Sequence, residues 1–167
     1  MRPAGFTLLE LLVVMTIIGL MAGLALLSTG QLGSRHTEQA GQRLAGQIEL
    51  ARDQALLTGQ SLAIGVARDH LAVMEQQWLD DRSLRWVPLE EGALRPANFG
   101  SMDLQPRLYI EDRRVSLNDD PDENLIAINA AGEIQPFELI LEPSGGGSAP
   151  VRLSSDGNQR VRVGEKD

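Results

Sequence analysis

The chain has 167 residues, a formal net charge of −8 and no cysteine. That length allows one membrane segment and one modest globular core, and the missing cysteines exclude a disulfide framework. The acidic balance argues against a general nucleic-acid binder, because attraction to phosphate supplies most of such a protein's non-specific affinity.

The N-terminus consists of a short basic leader, residues 1–5, followed directly by an apolar run at 6–27. As a helix, this run would extend about 33 Å, which matches a hydrocarbon core of about 30 Å. Glu10 is the only charged residue in the run, and a lone acid at membrane depth is usually functional. We therefore predict a transmembrane helix at 6–27, and Arg2 favours a cytoplasmic N-terminus.

The arrangement Gly5-Phe6-Thr7-Leu8-Leu9-Glu10 resembles the processing site of type IV pilins and of the pseudopilins of type II secretion. The resemblance implies that a prepilin peptidase cleaves between Gly5 and Phe6 and methylates the new N-terminal Phe6. That amine would be largely cationic at neutral pH, one helical turn from Glu10. We expect Glu10 to pair with the Phe6 amine of its own chain or of a neighbour during filament assembly, which removes the cost of an unmatched buried charge.

Two other interpretations of the N-terminal segment are a secretory signal peptide cleaved near residues 23–25 and a plain membrane anchor. The apolar run is longer than a signal peptide requires, and Glu10 interrupts it where such a peptide is most apolar.

Gly19 and Gly23 form a small-x-x-x-small pattern, which predicts close packing between membrane helices.

A helical continuation is predicted at 28–58. Gly30 and Gly33 indicate a softer joint after the membrane segment, and Gly59 is a plausible terminator. Between them, apolar residues recur at spacings of three and four, which predicts one buried helical stripe. A nearly continuous helix ending at Thr58 would be about 80 Å long. The stripe consists of Ala40, Leu44, Ile48, Ala51 and Ala55.

From residue 59 to 167 the apolar period changes to two, which predicts a β-rich head. The segment 62–73 reads as a hairpin with a turn at 67–70, and turn signals separate the later strands. One long helix followed only by strands predicts an α+β fold, with the helix packed on an antiparallel sheet or sandwich. The later strands are predicted at 84–87, 107–111, 125–128, 137–141, 151–154 and 160–163, and the turns at 118–124, 131–132, 144–148 and 156–157.

The segments 125–128, 132–133, 136–139 and 151–157 resemble the C-terminal half of the H-type (GspH-like) minor pseudopilin of type II secretion. The resemblance implies a non-enzymatic structural subunit near the tip of a periplasmic pseudopilus that supports export of folded proteins across the outer membrane. The chain would be a single-pass protein of the Gram-negative inner membrane with a periplasmic head. Implied partners are the prepilin peptidase/methyltransferase, the other minor pseudopilins, the major pseudopilin, the inner-membrane secretion platform and the lipid bilayer.

The alternative function is that of a minor type IV pilin, which binds DNA for uptake or primes pilus assembly. DNA-uptake pilins of the wider family display a C-terminal Gly-Arg-x-Arg, and Arg160 and Arg162 match it imperfectly, since two residues separate Gly157 from Arg160. The acidic charge argues against nucleic acid as a partner. A terminal strand with one solvent-facing edge is the simpler interpretation.

No catalytic constellation is recognisable, and we predict no cofactor and no metal site. His36 and His70 are the only histidines, and neither has a suitably spaced ligand nearby. The acidic run 118–124 lacks the spacing of a calcium loop, so a solvated loop is expected, with ion binding left open. Trp78 and Trp86 are expected in or near the core.

Overall fold

The computed structural model describes residues 8–78, 83–90, 92–145 and 149–165, with the side chains of 22–34 and of residue 165 left aside. One helix, α1, runs from Leu8 to Thr58 and is about 77 Å long. Gly30 and Gly33 lie inside this helix, which continues through the position of the predicted softer joint. Gly59 ends the helix with a φ of +65°, which suits glycine.

The second half of α1 packs on the head through the predicted stripe. Leu44, Ile48, Ala51 and Ala55 are fully buried, and Ala40 is 7% exposed. Gly41 extends the stripe, because a Cβ there would lie 2.6 Å from Cγ1 of Val151. The small side chains let the helix approach the strands closely, and this part of the prediction is confirmed.

In the residues that the structure describes, the head contains ten strands in two antiparallel sheets. Sheet A has the order β3-β2-β1-β7, with β4 also paired to β2, and sheet B has the order β10-β9-β8-β5-β6. The predicted α+β fold, with the helix packed on an antiparallel β-rich head, is therefore confirmed, and the head has two sheets. The strands are β1 Leu62–Val66, β2 His70–Trp78, β3 Leu84–Pro88, β4 Ala97–Asn98, β5 Leu104–Ile110, β6 Arg113–Val115, β7 Leu125–Ile128, β8 Phe137–Pro143, β9 Val151–Ser155 and β10 Arg162–Glu165.

Two of the predicted strands extend beyond the observed strands, and these two bounds are wrong. Glu111 lies in the β5–β6 turn with a φ of +49°, which breaks the extended backbone. Arg160 precedes β10, which begins at Arg162, because the chain from 156 to 161 is held against α1. The two short strands β4 and β6 and three short 3₁₀ segments were not predicted, since two or three residues carry no readable period.

The main core lies between the helix stripe and the inner faces of both sheets. Leu62, Ile64 and Val66 of β1 enter it from sheet A, and Leu139 and Leu153 enter it from sheet B. A second, smaller cluster lies on the outer face of sheet A. It consists of the buried residues Ala63, Ala72 and Met74, with Trp86 and Leu125 packed against them.

The acidic segment covers part of that outer face. A 3₁₀ turn at Pro121–Glu123 lies against β1, and a Cβ on Gly65 would be 2.7 Å from the carbonyl oxygen of Pro121. Val66 N–H donates to the carbonyl of Asn124 at 3.0 Å, and Asn124 is buried. The segment 118–124, which was expected to be a solvated loop, therefore also packs over the outer face of sheet A, because backbone hydrogen bonds hold it to β1.

Candidate functional site

The N-terminal arm of α1 projects away from the head. Its described side chains, from residue 8 to 21, are exposed on every side of the helix, from Val13 at 46% to Leu8 at 84%. Thr16 satisfies its hydroxyl locally by donating to the carbonyl of Leu12 at 2.8 Å. A helix that is apolar all round requires cover from lipid or from other helices, so this arm is a candidate assembly surface.

Glu10 lies in the first turn of α1, at the start of this arm. Gly5 and Phe6 lie outside the described residues, so the cleavage site, the methylation and the Glu10–Phe6 pair remain predictions.

A Cβ on Gly19 would meet nothing within 4 Å, which leaves that side of the helix open to a close neighbour. Gly23 is helical in its backbone. Among the residues that could be searched, no helix is long and apolar enough to cross a membrane.

Two polar residues of α1 attach the helix to the end of the head. The Arg52 guanidinium donates from Nε to the carbonyl of Gly132 at 2.8 Å and from Nη1 to the carbonyl of Gln159 at 2.9 Å. Glu49 lies 3.1 Å from Arg52 Nη1 and accepts a 2.7 Å hydrogen bond from the backbone N–H of Val161. The Glu49–Arg52 pair therefore fixes two separate loops to one turn of the helix.

Gln47 attaches a third irregular segment. Its Nε2 donates to the carbonyl of Arg95 at 2.7 Å, beside the 3₁₀ segment Gly92–Leu94, and the Gln47 side chain is largely buried. Sequence reasoning missed these contacts of Gln47, Glu49 and Arg52. The bonded carbonyls lie 48 to 107 residues along the chain, so no local signal could reveal them.

The two C-terminal arginines lie apart from any basic surface. Arg162 is 3.8 Å from Asp156, and Arg160 lines a cleft of about 210 Å³ with Glu49 and Asp53. The pKa of Asp156 is lowered mainly because the backbone N–H of Gln159 donates to its carboxylate. The positive charge of Arg162 lowers this pKa further. Arg162 thus has a carboxylate beside it, and Arg160 shares its cleft with two acids as well as with Arg52, which weakens the DNA-binding alternative.

The histidines and acids of the described residues do not form a metal site. His70 begins β2 and contacts its neighbour Asp69 at 2.7 Å, whereas His36 is exposed on α1. In the part of the chain that the structure describes, no group of three or more histidines or acids is arranged to hold a metal ion.

Comparison with known proteins agrees with this architecture. A family model described as type II transport protein GspH matches residues 40–157, and a prokaryotic N-terminal methylation motif matches residues 1–26. The chain belongs to the GspH family of type II secretion minor pseudopilins.

Individual relatives cover nearly the whole chain. The type II secretion system protein H of Pseudomonas aeruginosa is 33% identical over 95% of this chain and 94% of its own length. The protein of the same name from Escherichia coli is 29% identical over 94% of this chain and 91% of its own.

Solved structures share the fold of the head. The solution structure of Escherichia coli GspH covers 79% of this chain and 91% of its own, at 25% identity and a TM-score of 0.57. A structure of the minor pseudopilin EpsH of Vibrio cholerae covers 79% and 99%, at 19% identity and a TM-score of 0.62. The predicted likeness to the H-type pseudopilin is confirmed.

Proposed function

We propose that this minor pseudopilin is a non-enzymatic subunit near the tip of the periplasmic pseudopilus, which joins the other minor pseudopilins to the filament of major subunits. It is cleaved between Gly5 and Phe6. Before assembly it lies in the inner membrane, with its N-terminus in the cytoplasm and its head in the periplasm. The secretion platform then extracts it into the filament, which supports export of folded proteins.

The observation that carries this proposal is the contrast between the two halves of α1. The large apolar side chains of the arm from Leu8 to Met21 are exposed on all sides. The half from Ala40 to Ala55 is locked to the head by the buried stripe and by Arg52. A helix built in this way can leave lipid and enter a bundle of neighbouring helices while carrying a rigid head with it.

In the proposed filament, Glu10 sets the axial position of the subunit relative to its neighbours. Burying its carboxylate among apolar helices is costly unless a cation pairs with it. The processed amine of Phe6, in the same chain or in a neighbour, is a cation of suitable charge and reach. Where the pair forms between neighbouring subunits, a subunit that docks in a different axial position leaves both charges unpaired, so pairing favours one arrangement.

The test replaces Glu10 with Leu and with Asp in the full chain at native expression. Glu10→Leu should keep membrane insertion, because it removes a charge from an apolar helix, and should keep cleavage, because the bond that is cut lies between Gly5 and Phe6. It should no longer co-purify with other pseudopilins and should not support secretion. Glu10→Asp should fall between, with charge kept and reach shortened. Normal assembly and secretion with Glu10→Leu would contradict the assembly role.

A further inference from the structure

The hairpin of β2 and β3 presents an exposed apolar surface at one margin of the head. Trp78 and Leu84 are paired across the two strands, and their side chains are 74% and 46% exposed. Trp86, opposite Gln76, continues the same face toward Met74 in the small outer cluster. Exposed tryptophan is rare on a surface without a partner and is enriched among the residues that dominate binding energy.

The backbone of β3 is also available for pairing. Leu89 N–H donates to the carbonyl of Val73 at 2.8 Å, so the alternate residues Val87 and Arg85 direct their backbone groups toward β2. By the same alternation, Leu84 and Trp86 direct theirs away from it. Within the described residues, no strand pairs with that outer edge of β3.

The other margin of sheet A is not open in the same way. There, Gln135 N–H donates to the carbonyl of Ala127 in β7 at 2.8 Å, and Ile128 forms a bridge with Ile134. The chain thus covers the β7 edge with its own backbone and leaves the β3 edge uncovered. An uncovered, partly apolar edge is a template for a strand from another chain.

The charge around this surface is one-sided. The described residues 75–78, 83–90 and 118–124 together contain six carboxylates and one arginine, a formal charge of −5 in a chain whose total is −8. The 3₁₀ turn that contains Asp122 covers the adjacent part of the sheet, and Arg85 of β3 is near enough to attract that carboxylate. A partner that docks here is complementary if it brings positive charge.

We propose that the β3 edge, with Trp78, Leu84 and Trp86, docks an edge strand from the head of a different pseudopilin. That strand would add to sheet A, set apolar side chains on Trp78 and Leu84, and place lysines or arginines beside the acidic flank. The inference rests on the proposed function for the identity of the partner. A second copy of this chain is disfavoured, because two such surfaces carry the same negative charge.

The test uses cross-linking in the full chain, which has no native cysteine. Gln76→Cys places one thiol on the proposed surface, and Gln105→Cys, also exposed, places one on the outer face of sheet B as a control. Cells that express the complete secretion machine are treated with a short thiol-to-amine cross-linker, and the adducts are identified by mass spectrometry. Gln76→Cys should yield an adduct with another pseudopilin that Gln105→Cys does not yield.

A second substitution in the Gln76→Cys background tests the tryptophan. Trp78→Ser should reduce the adduct about tenfold or more, Trp78→Phe should retain most of it, and Arg114→Ser, on the edge strand β6, should leave it unchanged. Because Trp78 is mostly exposed, Trp78→Ser should unfold at nearly the same temperature as the parent, which separates lost docking from lost folding.

Several outcomes would overturn the inference: no adduct at Gln76, an adduct only with a second copy or with an exported protein, or a yield that Trp78→Ser does not change. If secretion requires the chain but these outcomes occur, the docking surface is wrong and the proposed function stands. If secretion does not require the chain at all, the proposed function itself fails.

Discussion

Arg52 Nε on the helix lies 2.8 Å from the carbonyl oxygen of Gly132, a residue 80 positions later in the chain. The same guanidinium bonds Gln159, and its partner Glu49 bonds Val161, so one helical turn holds the ends of both sheets. The buried stripe resists separation of helix and head, and these polar contacts resist rotation of one relative to the other. Movement of α1 is therefore passed to the head without a hinge at this point.

Replacing Arg52 with Ala should destabilise the head by about 2–4 kcal/mol, because two backbone carbonyls and the Glu49 carboxylate lose a charged donor in a partly buried position. Urea unfolding of residues 33–167, which we expect to form a soluble monomeric α+β domain, measures the change. Arg43→Ala, an exposed position on the same helix, is the control and should change stability little. Equal effects of the two substitutions would refute the attachment role.

Two glycine-to-alanine substitutions should act in opposite directions. Gly65→Ala places a Cβ 2.7 Å from the Pro121 carbonyl and should cost about 1–3 kcal/mol, since the covering turn must shift. Gly46→Ala meets nothing within 4 Å in the middle of α1 and should stabilise the domain by about 0.5–1 kcal/mol. Thermal unfolding of both variants checks the signs, and a neutral Gly65→Ala would show that the turn does not pack tightly on β1.

The predictable parts of the fold are those with a local period. The stripe from Ala40 to Ala55 repeats every three or four residues, and the strand at Leu125–Ile128 has the predicted bounds. Trp78 shows the limit of such reasoning, because it was expected in or near the core and is exposed. Hydrophobicity predicts burial, but β2 extends past the edge of the core, and only the sheet geometry reveals where the core ends.

The candidate site also has parts that a local sequence pattern predicts and parts that it does not. The assembly arm and Glu10 were predictable, because they lie in one continuous segment with a recognisable motif. The Glu49–Arg52 attachment was not, because its partners are backbone carbonyls and N–H groups of distant loops. The acidic run was correctly placed in a loop, yet its cover of Gly65 depends on how the segment folds back over β1.

Asp122 should give the stability of the head a distinctive pH dependence. Desolvation, and then the neighbouring Asp120 and Glu123, raise its pKa from the ordinary value of 3.8. A raised folded pKa means that the ionised carboxylate costs stability at neutral pH, and that this cost is relieved as the pH falls through the folded pKa. Asp122→Asn should therefore raise the melting temperature at pH 7, with the gain shrinking toward pH 4.

The matched control for this experiment is Asp53→Asn, an exposed acid on α1. It should not reproduce the pH-dependent gain. Melting curves of both variants and the parent between pH 4 and pH 7 provide the comparison. A gain for Asp122→Asn that is the same at every pH would show that ionisation of this carboxyl is not its cause.

Processing should produce a mature chain that begins at Phe6 with a methylated amine. The expectation follows from the motif that ends in Glu10 and from the methylation-motif match to residues 1–26. Intact-mass measurement and N-terminal sequencing of membrane-extracted protein decide it. A mature start near Ala25 would restore the interpretation of the apolar run as an ordinary signal peptide.

A working subunit of a secretion pseudopilus should be required for release of exported proteins. Deleting its gene in the parent bacterium tests this directly, when exported proteins in the medium and the periplasm are compared with the wild-type chain or the Glu10→Leu chain supplied back at native levels. Folded exported proteins should accumulate in the periplasm after deletion, the wild-type chain should restore their release, and Glu10→Leu should not. Unchanged release after deletion, or a defect confined to DNA uptake, would contradict this role.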